Sequence, residues 1–115
     1  MDQLDTTLAA VADPTRRAIL RRLSAGPAAV HELAEPFHMS QQAISKHLAC
    51  LERARLIQRR RRGRRNFCVL RPKPIEAVAD WAEGFRKLWE ATFQRLDALL
   101  DEMKAEESRS GRTPR

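Results

Sequence analysis

The sequence predicts a mainly α domain of about five helices carrying one two-stranded β-hairpin. Three observations point there. Apolar residues recur at helical spacing in five stretches between Leu4 and Met103. Two strand-like runs, Leu56–Arg60 and Asn66–Leu70, flank Gly63 at hairpin distance. Proline or glycine punctuates the junctions at Pro14, Gly26-Pro27, Pro36 and Pro72/Pro74.

Each element has its own signal. Leu4, Leu8 and Val11 step by fours and threes and predict a short first helix. Asp13-Pro14 restarts the chain, with aspartate as N-cap and proline at the first helical position. The second helix buries Ile19, Leu20 and Leu23, and Gly26-Pro27 ends it. Val30, Leu33, Ala34 and Phe37 mark a third helix, which Pro36 should kink or close because it lacks an amide hydrogen. Ser40 caps a fourth, running to about Ala54, whose buried stripe is Ile44, Leu48 and Leu51. The hairpin follows, and two prolines in Arg71–Pro74 break the pattern. A long last helix then runs to about Ala105. Ile75, Val78, Ala82, Phe85, Trp89, Thr92, Leu96, Leu99 and Met103 form a heptad-like seam along it. Trp81, Leu88, Phe93 and Leu100 widen that seam beyond what one small domain can bury alone. Residues 1–105 are therefore expected to form one domain with dimerisation helices at 1–12 and 74–105. Residues 106–115, polar with glycine and proline, are expected to be a disordered tail.

The chain has 115 residues and a formal net charge of +7. Residues 13–73 carry a balance of +11, whereas residues 74–104 carry −3. The basic part should meet a polyanion and the last helix should meet protein. The N-terminus lacks a secretory pattern, and no apolar stretch is long enough to span a membrane. Two cysteines, Cys50 and Cys68, are too few for a disulfide scaffold, so a reduced cytoplasmic protein is expected. Both read as small buried side chains before they read as a thiol switch. His31, His38 and His47 are scattered and share no ligand spacing. There is no Ser/His/Asp order, no Gly-rich phosphate loop and no carboxylate pair placed for acid–base work, so no enzyme and no cofactor are implied.

Two segments carry chemistry. On the fourth helix, Gln41, Gln42, Ser45, Lys46 and Ala49 lie opposite the buried stripe. That face is short, polar and nearly free of acid, unlike an ordinary solvated face. Glutamine suits adenine edges, lysine suits guanine or phosphate, and serine suits either a base or a phosphate. With the cap Ser40, Gln41, Gln42, Ser45 and Lys46 are the candidate base-reading set. In the hairpin, Arg59–Arg62, Arg64 and Arg65 place six arginines in seven residues around one glycine. Nothing in a core would gather them, whereas phosphates or a narrow minor groove would. A solvated basic loop is the blander reading, and strand arginines such as Arg59 fit it best.

The joint order is helix, helix, turn at His38–Ser40, base-reading helix, basic hairpin and long apolar helix. A winged helix-turn-helix needs that order. Residues 10–70 resemble the arsenic-repressor (ArsR/SmtB) family of winged-helix regulators. The resemblance is carried by ADPTRRAIL at 12–20, HELAEPFHMSQQAISKHLACLE at 31–52, LI at 56–57 and GRRNF at 63–67. It implies a homodimeric prokaryotic transcription regulator, mostly of repressor type, whose first and last helices build the dimer. It assigns DNA reading to Gln41, Gln42, Ser45 and Lys46, and the wing to Arg62, Arg64 and Arg65. Leu4, Leu8, Phe85, Trp89, Leu96 and Leu99 then become the expected dimer contacts.

Two departures matter. Many relatives carry glycine where this chain has Arg55, a site that favours a left-handed backbone. Metal-sensing relatives carry cysteines before the base-reading helix, or histidine and acidic ligands in the last helix. Here the first place reads AAVHELA at 28–34 and the last helix has no histidine, so no metal site is expected there. An unidentified small-molecule effector or simple autoregulation remain as regulation. The expected function is repression at a near-palindromic operator in double-stranded DNA, with no membrane partner. An RNA-binding basic module and a protein-interaction winged helix are the competing classes. The first lacks an aromatic stacking platform, and the second leaves the clustered arginines unexplained.

Overall fold

The computed structural model describes residues 2–110. The chain divides into two units, Met1–Ala79 and Asp80–Arg115. The first unit holds α1 (Gln3–Ala10), α2 (Pro14–Leu23), β1 (Ala28–Ala29), α3 (Val30–Ala34), α4 (Gln41–Arg53), β2 (Ile57–Arg62) and β3 (Arg65–Leu70). It also contains the first turns of α5 (Lys73–Arg109), which supplies the second unit.

Local chemistry sets these boundaries. Asp13 accepts the Arg16 amide at 3.0 Å and caps α2, with Pro14 in its first turn. The next two arginines reach backward. Arg16 Nε donates to the Ala10 carbonyl at 2.6 Å, and the Arg17 guanidinium donates to the Val11 carbonyl at 2.8 Å. They satisfy carbonyls that the end of α1 leaves without helical partners. The DPTRR run thus starts one helix and finishes the one before it. Pro36 closes α3 as expected, into a 3₁₀ turn over Glu35–Phe37 that ends at His38 with φ 53°. Ser40 Oγ accepts the Ala43 amide at 3.1 Å and starts α4.

The sheet has the order β1-β3-β2, all antiparallel. Ile57 pairs with Leu70 and Arg62 with Arg65, leaving Gly63-Arg64 as a two-residue turn. Gly63 has φ 64°, and Arg64 keeps a negative φ, the pattern of a type II′ hairpin. The strands run two residues further toward the tip on one side, and one on the other, than the sequence pattern indicated. The third strand, Ala28–Ala29 against Cys68 and Phe67, was not expected. Two alanines carry no period, so only the partner strand reveals it.

The core lies between α2, α3, α4 and the sheet. Ile19, Leu33, Ile44, Leu48, Leu51, Leu56, Ile57 and Cys68 are fully buried there. In the second unit, α5 buries no residue. Trp81, Phe85, Trp89, Phe93, Leu96 and Met103 are all exposed. The helix continues through Arg109, which corrects the expected disordered tail at residues 106–109; residues 111–115 lie outside the described residues. No described helix is long and apolar enough to cross a membrane.

Candidate nucleic-acid interface

The buried stripe of α4 fixes which way its other side points. Ile44, Leu48 and Leu51 are fully buried, so Gln41, Gln42, Ser45, Lys46 and Ala49 must face outward. Gln41, Gln42 and Lys46 are exposed, and Ser45 is half-buried. The first turn of α4 holds no acidic residue. The positive end of the helix dipole, with the amides of that turn that Ser40 does not cap, is therefore open to an anion.

His47 sits beside this face but is engaged from behind. Its Nδ1 lies 3.5 Å from the Arg16 guanidinium and 3.9 Å from Asp13 Oδ2. Asp13 thus caps α2 and also neighbours a residue of α4. The Arg16 amide holds the Asp13 carboxyl below its ordinary value, partial burial opposes this, and the charges of His47 and Arg16 assist.

The six hairpin arginines separate into distinct environments. Arg59 folds against α4, with Nε 3.4 Å from Glu52 and a terminal nitrogen 3.5 Å from the Ser45 carbonyl. It stands on the same strand face as buried Ile57 and away from the tip. Arg60 donates to the Gln58 side chain, and Arg61 to the Gly63 carbonyl. Arg65 lies 3.7 Å from Glu32. Glu32 is itself fixed by the Ala29 amide at 2.8 Å, which holds its carboxyl below the usual range. Arg62 and Arg64 are exposed and have no hydrogen bond or ion pair among the described residues. The tip therefore offers two uncommitted guanidinium groups, with a third, Arg65, held loosely.

The sequence reading assigns Arg62, Arg64 and Arg65 as the wing contacts and leaves strand arginines such as Arg59 to solvent. It missed that Glu52 captures Arg59 and that Glu32 faces Arg65, because both are contacts between elements distant along the chain. Arg55 does adopt the left-handed backbone, with φ 63°. Of the expected dimer contacts, Leu4 and Leu8 are half-buried in the first unit. Phe85, Trp89, Leu96 and Leu99 are 40%, 59%, 48% and 50% exposed in the second. Cys68 is buried, and burial pushes its thiol up, while Cys50 is half-buried; both are free. Among the described residues, no group of three or more His, Cys, Asp or Glu side chains converges as a metal site.

Residues 13–59, from the α2 cap to the start of β2, match the family described as bacterial regulatory protein, arsR family. The chain is 45% identical over 97 residues to the HTH-type transcriptional regulator Rv2034 of Mycobacterium tuberculosis, covering 84% of this chain and 88% of that protein. It is 32% identical over 82 residues to the transcriptional repressor SdpR of Bacillus subtilis, covering 71% and 91%. The crystal structure of an ArsR family transcriptional regulator, RHA00566, superposes with a TM-score of 0.70 at 44% identity, covering 77% of this chain and 98% of that one. A first turn of α4 without acid, a basic hairpin and these relatives agree: the chain belongs to the arsR family of bacterial regulatory proteins and is a DNA-binding transcriptional regulator, not an enzyme.

Proposed function

We propose that the chain is a homodimeric cytoplasmic repressor that occludes a promoter by binding a near-palindromic operator. In this reading Ser40, Gln41, Gln42, Ser45 and Lys46 bring the N-terminal half of α4 to base edges in the major groove. Arg62, Arg64 and Arg65 add contacts to phosphates or to a neighbouring minor groove. The apolar stripe of α5, with Leu4 and Leu8 of α1, joins two copies. The two recognition helices then stand about 34 Å apart, one turn of DNA.

The observation that carries the proposal is the pairing of two features in one unit: the acid-free N-terminal turn of α4, and a hairpin tip whose Arg62 and Arg64 are committed to nothing among the described residues. The exposed stripe from Trp81 to Met103 supports the dimer, since single-chain proteins rarely leave so long an apolar face in water. The repressor named among the relatives supports the direction of regulation.

The test is a titration of the full chain against its own upstream promoter duplex, a random duplex of equal length and single-stranded RNA. Preference for the promoter duplex by about a thousand-fold or more is expected, in keeping with the usual span of specific over non-specific binding. Equal affinity for the promoter and random duplexes would refute a specific repressor.

A further inference from the structure

The first unit has an apolar groove of about 550 Å³ on the side formed by α1, α2 and the opening turns of α5. Val11, Leu20, Leu70, Ile75 and Val78 supply its floor. The polar groups inside it are already satisfied. The Thr7 hydroxyl donates to the Gln3 carbonyl and accepts from the Gln3 amide, and Ser24 donates to the Arg21 carbonyl. The floor therefore asks for hydrocarbon only. The rim is different. Arg17 and Arg21 stand on it, against the single carboxylate of Glu76. Arg21 is exposed and has no side-chain hydrogen bond or ion pair among the described residues, and Arg17 uses one nitrogen on the Val11 carbonyl.

We infer that this groove binds a medium-chain organic carboxylate, its tail on the apolar floor and its headgroup on Arg21 and Arg17. The volume falls in the range of small-molecule sites, and a tail of roughly eight carbons fits it with room to spare. The charge balance of the rim selects an anion over a neutral or cationic amphiphile. A planar guanidinium without a partner suits a carboxylate. The position also suits an effector. Leu70 is the last residue of β3 and so belongs to the wing, while Ile75 and Val78 begin the α5 seam. A ligand touching both biases whichever arrangement of wing and seam it fits better, and DNA would reciprocally change its affinity. Binding itself stands apart from the operator reading; only its consequence for DNA rests on that reading.

The test uses the full chain, without DNA, titrated with octanoate, 1-octanol and octylammonium and followed by the amide signals of the groove residues. Octanoate is expected to shift Val11, Leu20, Ile75 and Val78 saturably, on the order of ten-fold tighter than octanol, as one charge-assisted contact allows. Octylammonium should bind more weakly still. Arg21→Glu should remove the preference for octanoate and leave octanol binding unchanged. Equal affinity of octanoate and octanol, an Arg21→Glu chain that binds octanoate as before, or no saturable shift at millimolar ligand each overturns the inference. So does octanoate binding that disappears as the chain dimerises, because the groove would then belong to the second copy. A chain that binds octanoate but shows no preference among duplexes keeps this site and loses the repressor reading.

Discussion

The amide of Leu56 donates to the carbonyl of Leu51 at 2.9 Å, and both leucines are completely buried. Together with the Arg55 amide on the Glu52 carbonyl at 3.0 Å, this closes α4 as a Schellman motif. The geometry forces the intervening residue into the left-handed region, where Arg55 sits at φ 63°. A side chain there costs about 1–2 kcal/mol, because Cβ crowds the following carbonyl. Glycine avoids that crowding but loses more freedom on folding. Arg55→Gly should therefore stabilise the chain by about 0.5–1 kcal/mol, and the β-branched Arg55→Val should destabilise it by about 1 kcal/mol or more. Urea unfolding at one fixed protein concentration measures both. A glycine variant less stable than the parent would show that the Arg55 side chain makes up for its strain.

Asp13 gives a pH-dependent signature. Its carboxyl is held below the ordinary value of 3.8, chiefly by the Arg16 amide that it caps. A depressed carboxylate stabilises the fold fully above its unfolded value, and the stabilisation fades as pH falls through the folded one. Asp13→Asn keeps a capping oxygen but removes the charge. The melting temperature of the parent should exceed that of Asp13→Asn at pH 7, and the gap should shrink as pH falls below the ordinary 3.8. A gap that stays constant across this range would mean that charge is irrelevant to the cap.

The hairpin arginines should divide by their environment and not by their proximity in sequence. Arg62 and Arg64 are uncommitted at the tip, whereas Arg59 is occupied by Glu52 and the Ser45 carbonyl. Replacing Arg62 and Arg64 together with alanine should flatten the salt dependence of DNA binding by about 0.9 per lost phosphate contact. Arg59→Ala should leave that slope alone and instead blur sequence preference, because it loosens β2 from α4. A slope change for Arg59→Ala equal to that of the tip pair would return Arg59 to the phosphate-binding set.

Legibility in the sequence followed the range of the interactions. The start of α4 was readable, because the Ser40 cap and the Ile44, Leu48 and Leu51 stripe are local and agree with each other. The left-handed site at Arg55 was readable only through the resemblance, since an arginine gives no conformational signal of its own. The strand at Ala28–Ala29 was not, because what defines it is the edge of β3, forty residues away in the chain. The tail misled for a different reason. Polarity suggested disorder, yet residues 104–109 read KAEESR, mostly good helix formers that extend an existing helix at little cost. The exposed face of α4 was legible as a surface. The ties behind it, His47 to Asp13 and Arg16, were not, because they link elements over thirty residues apart.

Gln42 tests base reading separately from grip. It is exposed near the start of α4 and carries no charge. Gln42→Ala should alter the preference at one operator position by about 1–3 kcal/mol. Affinity for random duplex and the salt slope should not move. Selection of operators from a randomised pool measures this directly, and an unchanged consensus would remove Gln42 from the reading set.

The seam of α5 can be tested with the chain's own fluorophores. Trp81 and Trp89 are its two tryptophans, 45% and 59% exposed, and Trp81 packs edge-on against Phe85 at 5.0 Å between ring centres. If two copies bury this stripe, the dimer's emission should lie to the blue of a monomer's. Leu96→Glu puts a charge on the same face, where Leu96 is 48% exposed. No core contact of the first unit is touched, so folding of Met1–Ala79 should be retained. Burying an unpaired carboxylate in an apolar interface is strongly unfavourable, so the variant should sediment as a monomer at micromolar concentration. Its emission should shift to the red, and its binding to a two-half-site duplex should fall to that of a single half-site. A Leu96→Glu chain that still sediments as a dimer with unchanged emission would move the dimer contact off this stripe and deprive the paired recognition helices of their spacing.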